Sequence, residues 1–328
     1  ALSEATLGQD NVALMNALDL TAATIGNNEG LGLPKEKLDK LYAHANFDVV
    51  LANLKDKGKQ PSWAVEKKRV TTSFGMTIDI FGLTAPYPLA YPQMGWDILE
   101  PESVLAQQLL ESDADFTILL SHLGWRFDEQ AAMTFDNLNL ILGAHTHHLY
   151  EYGKYINDTM LAAAGRYGEY VGEVTLRFDD DFQCIQSEIM AEDVHHLAVL
   201  PGDKEWIQHQ VNQGHERLRA CQVAQLSQAF TNRLPEYEAT QFVAGIIGEY
   251  YQVPAVVLNS GMIVEEIPQQ LTLDDLHDIL PHSIRMVKFT VTGLELLSIM
   301  QELYDIGNYL KTQRIVGMGF RGKQFGDI

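Results

Sequence analysis

Three short polar segments carry the side chains of this sequence that are suited to metal binding or catalysis. They are residues 26–30 (GNNEG), 121–124 (SHLG) and 143–148 (GAHTHH). Each of them follows or ends a short apolar run of the kind that forms a buried strand. Because ligand sites of α/β sheets lie at the carboxyl ends of the strands, the three segments are expected to converge on one cleft.

The third segment has the spacing of a metal site. In an extended backbone, residues two apart point to the same side, so His145 and His147 are expected to face one metal centre while His148 points away. Imidazole nitrogens and the side-chain oxygen of Asn27 are suitable ligands for zinc, manganese or iron. Taken singly, each segment has an ordinary explanation as a turn or a surface histidine. Their occurrence together, in this order, predicts a metal centre that also includes His122.

The segments around these clusters predict alternating strands and helices. Short, nearly continuous apolar runs are typical of strands that are buried on both faces, and helical stretches separate them. The predicted strands are residues 47–54, 76–82, 116–121, 138–142 and 171–178, and the predicted helices include residues 11–20 and 101–111. This alternation predicts an α/β fold.

The pattern changes near residues 188–200, and the sequence that follows predicts a second domain. A helix is expected over residues 203–226, and strands are expected over 255–258 and 284–292. The predicted organisation is a first domain of residues 1–198, a helical connector of residues 199–228 and a second domain of residues 229–328.

Composition limits the classes of function. The 328 residues are 46% apolar, which suits about two domains, and carry a formal net charge of −21. So acidic a chain is a poor partner for a nucleic-acid polymer, which needs a basic surface. A small anionic substrate is still compatible, because bound metal ions reverse the local field. No apolar run approaches the length of a membrane span. Cys184 and Cys221 are too few for a disulfide framework and are expected to be buried thiols, which favours the cytoplasm.

The three polar segments, in their order, resemble the motifs of the calcineurin-like metallophosphoesterases. Members of that family carry G-N-H-(E/D), then (S/G)-H, then G-H-x-H. This sequence is similar in particular to the 5′-nucleotidase and 2′,3′-cyclic phosphodiesterase branch of the family. The stretches that carry the similarity are ILLSHLG (118–124), ILGAHTHH (141–148), AAGRYGEYVGEVTLRF (163–178), LNSGMIVEEIP (258–268) and LTLDDLHDILPHS with VTG (271–293).

The resemblance implies a fold and an activity. The fold is a β-sandwich flanked by helices in four layers (αββα), with a smaller α/β C-terminal domain that closes over the site. The activity is hydrolysis of phosphate esters, in particular nucleotides, by a water that two divalent metal ions activate. Asn27, His122 and His145 would bind one metal ion, and His147 would lie toward the other. Manganese, zinc or iron would serve, no membrane span is implied, and the oligomeric state is open.

The sequence departs from the family pattern inside the first motif. Asn28 stands where the family has its catalytic histidine, and Leu31 stands where it has the aspartate that orients this histidine. An amide donates a hydrogen bond to a phosphoryl oxygen but delivers no proton to a leaving group. Either the enzyme prefers good leaving groups, or another acid such as His148 acts. The family's D-x-H and G-D motifs would precede Ala1, so we expect the sequence to be a fragment at both ends.

The second domain departs from the pattern as well. Asn259 and Gly261 match the family's substrate-binding motif N-x-G-x-I-R, but Val264 replaces its arginine. Arg285 and Arg314 are candidate replacements that would contact the substrate. These departures motivate an alternative, a degenerate relative that binds a nucleotide or a partner without turnover. A sulfur-ester hydrolase on the same scaffold is a further possibility.

Overall fold

A mixed sheet lies at the centre of the computed structural model, which describes residues 1–233, 236–281 and 286–310. The strands, in chain order, are β1 (Ala22–Ala23), β2 (Asp48–Val49), β3 (Leu54–Lys55), β4 (Lys67–Thr71), β5 (Thr77–Thr84), β6 (Asp97–Ile98), β7 (Phe116–His122), β8 (Leu140–Gly143), β9 (Lys154–Ile156), β10 (Thr159–Ala162), β11 (Tyr170–Phe178), β12 (Cys184–Asp193), β13 (Gln222–Gln225) and β14 (Gln270–Thr272). The α-helices are α1 (Leu2–Thr6), α2 (Gln9–Asn16), α3 (Asn27–Gly32), α4 (Lys35–Leu41), α5 (Pro101–Leu110), α6 (Trp125–Thr134), α7 (Asp203–Arg219), α8 (Glu238–Tyr251), α9 (Leu273–Ile279) and α10 (Gly293–Leu310).

The central sheet has the strand order β4-β5-β7-β8-β10-β9. Strands β5, β7, β8 and β10 run parallel to their neighbours in this sheet, whereas β4 and β9 pair antiparallel at its two edges. The parallel strands are the apolar runs of the sequence, as expected for strands covered on both faces. Their carboxyl ends therefore meet at one edge of the sheet.

Different elements cover the two faces of this sheet. On one face, α5 and α6 pack Leu105 and Ala131 against Leu119 and other apolar residues of the strands. On the opposite face, the antiparallel hairpin β11–β12 packs Ile189 against a cluster that includes Leu140. The mixed α/β fold, with a central sheet flanked by helices, is confirmed.

The strand predicted over residues 47–54 is wrong in its extent, because only β2 and β3 form there. Between them, the side chain of the buried Asn53 takes the place of a backbone partner. Its Oδ1 accepts a hydrogen bond from Thr84 N (3.0 Å), and its Nδ2 donates to Thr84 O (2.8 Å). A side chain that pairs with the backbone in this way interrupts the regular ladder. The chain still runs close to β5, since a methyl group on Gly82 would lie 1.9 Å from Val50 O.

The chain divides into two compact units, Leu7–Asp203 and a second that combines Ala1–Thr6 with the residues from Lys204 onward. In the second unit, α7 ends at Arg219, earlier than predicted, because the chain turns into β13, which pairs with β14. Residues 255–258 and 286–292 form no strand, contrary to the prediction, and the described residues offer them no ladder partner. Residues 282–285 lie outside the described part of the chain.

Both cysteines are exposed, which corrects the expectation that they are buried. Cys184 is the first residue of β12, at the end of the hairpin where the register shifts between Arg177 and Phe178. Cys221 follows the end of α7 and therefore does not extend the apolar stripe of that helix. In the described residues, no helix combines the length and the apolar character that a membrane crossing needs.

Candidate metal centre

Two of the three polar segments lie side by side at the carboxyl edge of the central sheet. His122 is the last residue of β7, and Gly143 is the last residue of β8. These strands are parallel neighbours in which Ser121 pairs with Gly143, so His122 lies beside the loop 144–148. The first segment reaches the same place, since the side chain of Asn27, the first residue of α3, contacts His122.

Three side-chain donor atoms converge there. His122 Nε2 lies 3.2 Å from Asn27 Oδ1 and 3.2 Å from His145 Nδ1. The two imidazole ring centroids are 4.9 Å apart, in an edge-on arrangement. One residue from each of the three segments therefore contributes to a single cluster, which we call the Asn27–His122–His145 cluster.

The loop that carries His145 is not extended, so the geometric reason given for the HxH spacing is wrong. His145 (φ 68°) and His147 (φ 53°) both have left-handed backbone, which is costly for residues other than glycine. A hydrogen bond from Thr146 N to Ala144 O (2.8 Å) closes a three-residue turn around His145. The turn directs His145 to His122, whereas the exposed His147 faces Tyr167, at 6.4 Å between ring centroids.

Burial keeps the imidazoles of the cluster neutral. Desolvation, with His145 and His147 nearby, lowers the pKa of His122 to about 4. Burial also lowers the pKa of His145 below its usual value. Because a metal ion binds the neutral imidazole, these side chains are in the binding form at neutral pH.

Glycines make room for the cluster. A methyl group on Gly26 would lie 2.7 Å from His122 Cε1, and one on Gly124 would lie 2.7 Å from Thr146 Cγ2. The Gly26 backbone N donates to Glu29 Oε2 (2.8 Å), which fixes the start of α3. Glu29 therefore supports the backbone that presents Asn27.

The donor set has the chemistry of a site for one divalent cation. Two neutral imidazoles and an amide oxygen suit zinc, manganese or iron. In the part of the chain that the structure describes, no group of three or more His, Cys, Asp or Glu side chains is arranged to hold a metal ion. The third donor of the cluster is the amide oxygen of Asn27, 3.2 Å from His122 Nε2, and the three residues fit a cation at that point.

Asp128 of α6 is a buried carboxylate beside the cluster that the sequence analysis did not single out. Its side chain is almost fully buried and accepts a hydrogen bond from Ser121 Oγ. Burial raises the pKa of Asp128 to about 7. A signal was present in the sequence, since Asp128, Ala131 and Ala132 share the i, i+3, i+4 spacing of a buried helix face.

The two residues predicted to act in catalysis, Asn28 and His148, have different surroundings. Asn28 is exposed, and its Oδ1 accepts a hydrogen bond from Asn27 Nδ2 at 3.4 Å. His148 Nδ1 lies 3.0 Å from Thr146 Oγ1, and its Nε2 is buried, so one nitrogen is engaged by Thr146 and the other does not face solvent. This orientation does not favour direct proton donation by His148.

The residues predicted to bind the substrate belong to the second unit. Asn259 Oδ1 accepts a hydrogen bond from Gly261 N (2.8 Å) and caps the short helical turn Ser260–Met262. Arg285 and Arg314 lie outside the described residues.

Two exposed aromatic residues flank the loop 144–148, and the sequence analysis missed both. Tyr87 lies 6.5 Å from His145, and Tyr167 lies 6.4 Å from His147, measured between ring centroids. The guanidinium carbon of Arg166 lies 4.9 Å from the Tyr167 ring centroid. Among the described residues, no carboxylate forms an ion pair with Arg166. A cation and an aromatic ring are therefore available at the edge of the candidate site.

Comparison with known proteins identifies the family. The sequence profile described as calcineurin-like phosphoesterase matches residues 7–149. The chain is also 36% identical, over 336 aligned positions, to the uncharacterized metallophosphoesterase YunD of Bacillus subtilis, with all of this chain and 72% of YunD covered. The chain belongs to the calcineurin-like phosphoesterase family. The members of this family are metal-dependent phosphoric ester hydrolases, and this phosphoesterase shares that chemistry at the level of the family.

Solved structures with the same fold include two nucleotidases. The NAD nucleotidase NadN of Haemophilus influenzae superposes with a TM-score of 0.62 at 18% identity, over 85% of this phosphoesterase and 63% of NadN. The 5′-nucleotidase precursor of Thermus thermophilus superposes with a TM-score of 0.58 at 19% identity, over 85% and 62% of the two chains. This phosphoesterase spans less than two thirds of either structure, and at these identities the likeness shows the fold alone.

Proposed function

We propose that this phosphoesterase hydrolyses nucleotides or related small phosphate esters. The observation that carries the proposal is the convergence of Asn27 Oδ1, His122 Nε2 and His145 Nδ1 on one point at the carboxyl edge of the sheet. Family membership supplies the reaction class, and the nucleotidases with the same fold favour a nucleotide. The acidic chain needs cations at the site to receive an anionic substrate.

In this proposal, the site holds two divalent cations, which would be manganese, zinc or iron. Asn27, His122 and His145 bind one of them, and His147 lies toward the other. When bound, the cations activate a water for in-line attack and neutralise charge on the phosphoryl oxygens. The role of the protein is to keep the imidazoles neutral and fixed in position, so that the site needs little reorganisation when the substrate binds.

Asn28 defines the leaving groups that the site accepts. Its amide stands at the exposed start of α3, beside Asn27, where it is able to donate a hydrogen bond to a phosphoryl oxygen. It has no proton to give to an alkoxide. The proposed enzyme is therefore fast on esters of acidic alcohols or phenols and slow on those of simple alcohols, unless His148 reorients to act as the acid.

The second domain, residues 229–328, is assigned to substrate binding. Asn259, Gly261, Arg285 and Arg314 are the residues proposed to contact the substrate. The first domain, residues 1–198, carries the metal centre, and residues 199–228 connect the two.

The proposal is tested by measuring the hydrolysis of phosphate esters by the purified protein. The substrates are nucleoside monophosphates, a 2′,3′-cyclic nucleotide, p-nitrophenyl phosphate and bis(p-nitrophenyl) phosphate, each with Mn²⁺, Zn²⁺ or a chelator. We expect metal-dependent turnover that falls at least about 100-fold in His122→Ala. Neither the cyclic nucleotide nor bis(p-nitrophenyl) phosphate yields inorganic phosphate in its first hydrolysis. The nucleoside monophosphate formed from the cyclic nucleotide is therefore measured by chromatography, and hydrolysis of bis(p-nitrophenyl) phosphate is measured as p-nitrophenol. Binding of metal and nucleotide without turnover of any ester would instead support the alternative, a non-catalytic relative that binds nucleotides or a partner.

The role of Asn28 is tested by the substitution Asn28→His. A histidine there restores a general acid, so we expect kcat to rise about tenfold or more for nucleoside monophosphates and to change little for p-nitrophenyl phosphate. An equal effect on both substrates would contradict the missing-acid explanation.

A further inference from the structure

The buried carboxylate of Asp128 lies between the two segments that carry the histidines of the candidate site. Its side chain is 1% exposed, and one oxygen accepts a hydrogen bond from Ser121 Oγ, in the residue before His122. Its other oxygen, Oδ2, is buried and has no hydrogen-bond partner among the described residues. A buried acceptor without a donor is costly, so this oxygen calls for a partner.

A donor of matching chemistry is buried beside it. His148 Nε2 is also buried without a hydrogen-bond partner among the residues that the structure describes. Both atoms border the same glycine, since a methyl group on Gly143 would lie 2.6 Å from Asp128 Oδ2 and 3.2 Å from His148 Nε2. A small movement, or one shared water, would join the two groups.

The neighbouring hydrogen bonds select the tautomer of His148. Thr146 Oγ1 accepts a hydrogen bond from Trp125 N (3.0 Å) and lies 3.0 Å from His148 Nδ1. When the Thr146 hydroxyl donates to Nδ1, each donor and acceptor in this series of hydrogen bonds is paired, and the ring proton of the neutral imidazole is on Nε2. That proton is then available to Asp128 Oδ2.

We propose that Asp128 is a positioning residue that ties the two histidine-bearing segments together. One carboxylate oxygen holds Ser121, next to His122, and the other holds His148 Nε2–H, three residues after His145. The single side chain thereby sets the separation of the His122 and His145 imidazoles. The inference rests on the proposed function only in taking these imidazoles as metal ligands.

The first test is the protonation pattern of His148 in the wild-type protein without metal. Long-range ¹H–¹⁵N NMR is expected to show a neutral imidazole with its proton on Nε2 and slow exchange of that proton with water. A neutral ring with its proton on Nδ1 would overturn the proposal. Because this readout needs no substitution and no turnover, it is independent of whether the protein hydrolyses phosphate esters.

The second test compares Asp128→Asn with Asp136→Asn. An asparagine amide offers one acceptor, so it keeps at most one of the two bonds. We expect the Nε2 proton of His148 to lose its protection from exchange and the Kd for Zn²⁺ or Mn²⁺, measured by calorimetric titration, to rise about tenfold or more. Asp136 is an exposed carboxylate two residues after the end of α6, so Asp136→Asn, the same change of carboxylate to amide, should leave both readouts unchanged.

The substitution Ser121→Ala removes the hydrogen bond of Asp128 to Ser121 and keeps the proposed bond to His148. We expect it to weaken metal binding while the protected His148 proton persists. The proposal is overturned if Asp128→Asn leaves the His148 resonances and the metal Kd as in wild type, or if Asp136→Asn changes them equally. Absence of phosphate release with these metal and NMR results intact would reject the proposed function and leave the positioning role in place.

Discussion

Single residues decide whether the three donor atoms of the candidate site meet. Asn27, His122 and His145 come from three separate segments, and small neighbours leave the space in which their side chains approach. Of these small neighbours, Gly26 faces a donor side chain directly, since a methyl group there would lie 2.7 Å from the His122 ring. Substitutions at this scale should therefore act on metal affinity before they act on overall stability.

The substitution Gly26→Ala is expected to displace the imidazole of His122. The added methyl group would lie 2.7 Å from Cε1, which is shorter than any van der Waals contact, so the ring must move away from Asn27 and His145. We predict that the Kd for Mn²⁺ or Zn²⁺, measured by isothermal titration calorimetry, rises about tenfold or more. Gly32→Ala is the matched control, because a methyl group there meets no atom within 4 Å. Equal metal affinity in the two variants would contradict the prediction.

The substitution Arg166→Ala is expected to weaken binding of anionic substrates. Arg166 stacks near Tyr167, beside His147, and removing its charge removes attraction for a phosphate. We predict that KM for nucleoside monophosphates rises about fivefold with little change in kcat, since the residue contacts no reacting atom. Steady-state kinetics of Arg177→Ala provide the control. Arg177 carries the same charge seven positions after Tyr170 on β11, roughly 23 Å farther along the strand.

At the scale of secondary structure, an ionic network ties the edge strand β4 to β5. The buried Asp79 of β5 accepts hydrogen bonds from Arg69 (2.7 and 2.8 Å) and Lys67 (3.1 Å) of β4, and from Ser112 (2.7 Å). Burial opposes ionisation of Asp79, but these bonds outweigh it and lower the pKa of Asp79 to about 2. In its ionised form, Asp79 therefore holds the edge strand β4 against β5.

This lowered pKa predicts how stability depends on pH. Since the folded-state pKa of Asp79 lies below the unfolded value, its contribution is fully present above about pH 4 and is lost as the pH falls toward 2. The loss is at most about 2 kcal/mol. We predict that Asp79→Asn is less stable than wild type at pH 7 but loses less unfolding free energy between pH 5 and pH 2.5, measured by urea denaturation. The exposed Asp180→Asn should follow the wild-type pH dependence, and a wild-type pH dependence in Asp79→Asn would refute the assignment.

At the scale of the whole molecule, each of the two compact units has a hydrophobic core of its own. Leu105 belongs to a core of the unit Leu7–Asp203, and Ile267 belongs to the core of the second unit. Units with separate cores are able to unfold separately. The chain should therefore not behave as one cooperative unit.

We predict two transitions in differential scanning calorimetry. Leu105→Ala and Ile267→Ala each delete a buried side chain, at a cost of about 2–5 kcal/mol, and each should lower the midpoint of a different transition. A single transition that both substitutions shift would show that the units unfold together.

The sequence by itself determined the class of fold, several strands and helices of the first unit, and the three segments from which the donor atoms come. Apolar runs identified β7 (Phe116–His122) and β11 (Tyr170–Phe178) to within a residue, because burial on a sheet leaves a periodic trace in the sequence. The motif order also indicated the family, which the comparison with YunD confirmed.

Only the tertiary structure decided which donors meet. The turn around His145 directs that histidine, and not His147, to His122, and its left-handed backbone leaves no trace in hydrophobic periodicity. Likewise, Asn53 interrupts a strand through a partner 31 positions away, at Thr84. Asp128 acquires its place only when α6 packs on the sheet and brings the carboxylate to Ser121 near the end of β7. Periodicity records which side of an element is buried, whereas loop conformation and distant polar partners depend on contacts that form when the chain folds.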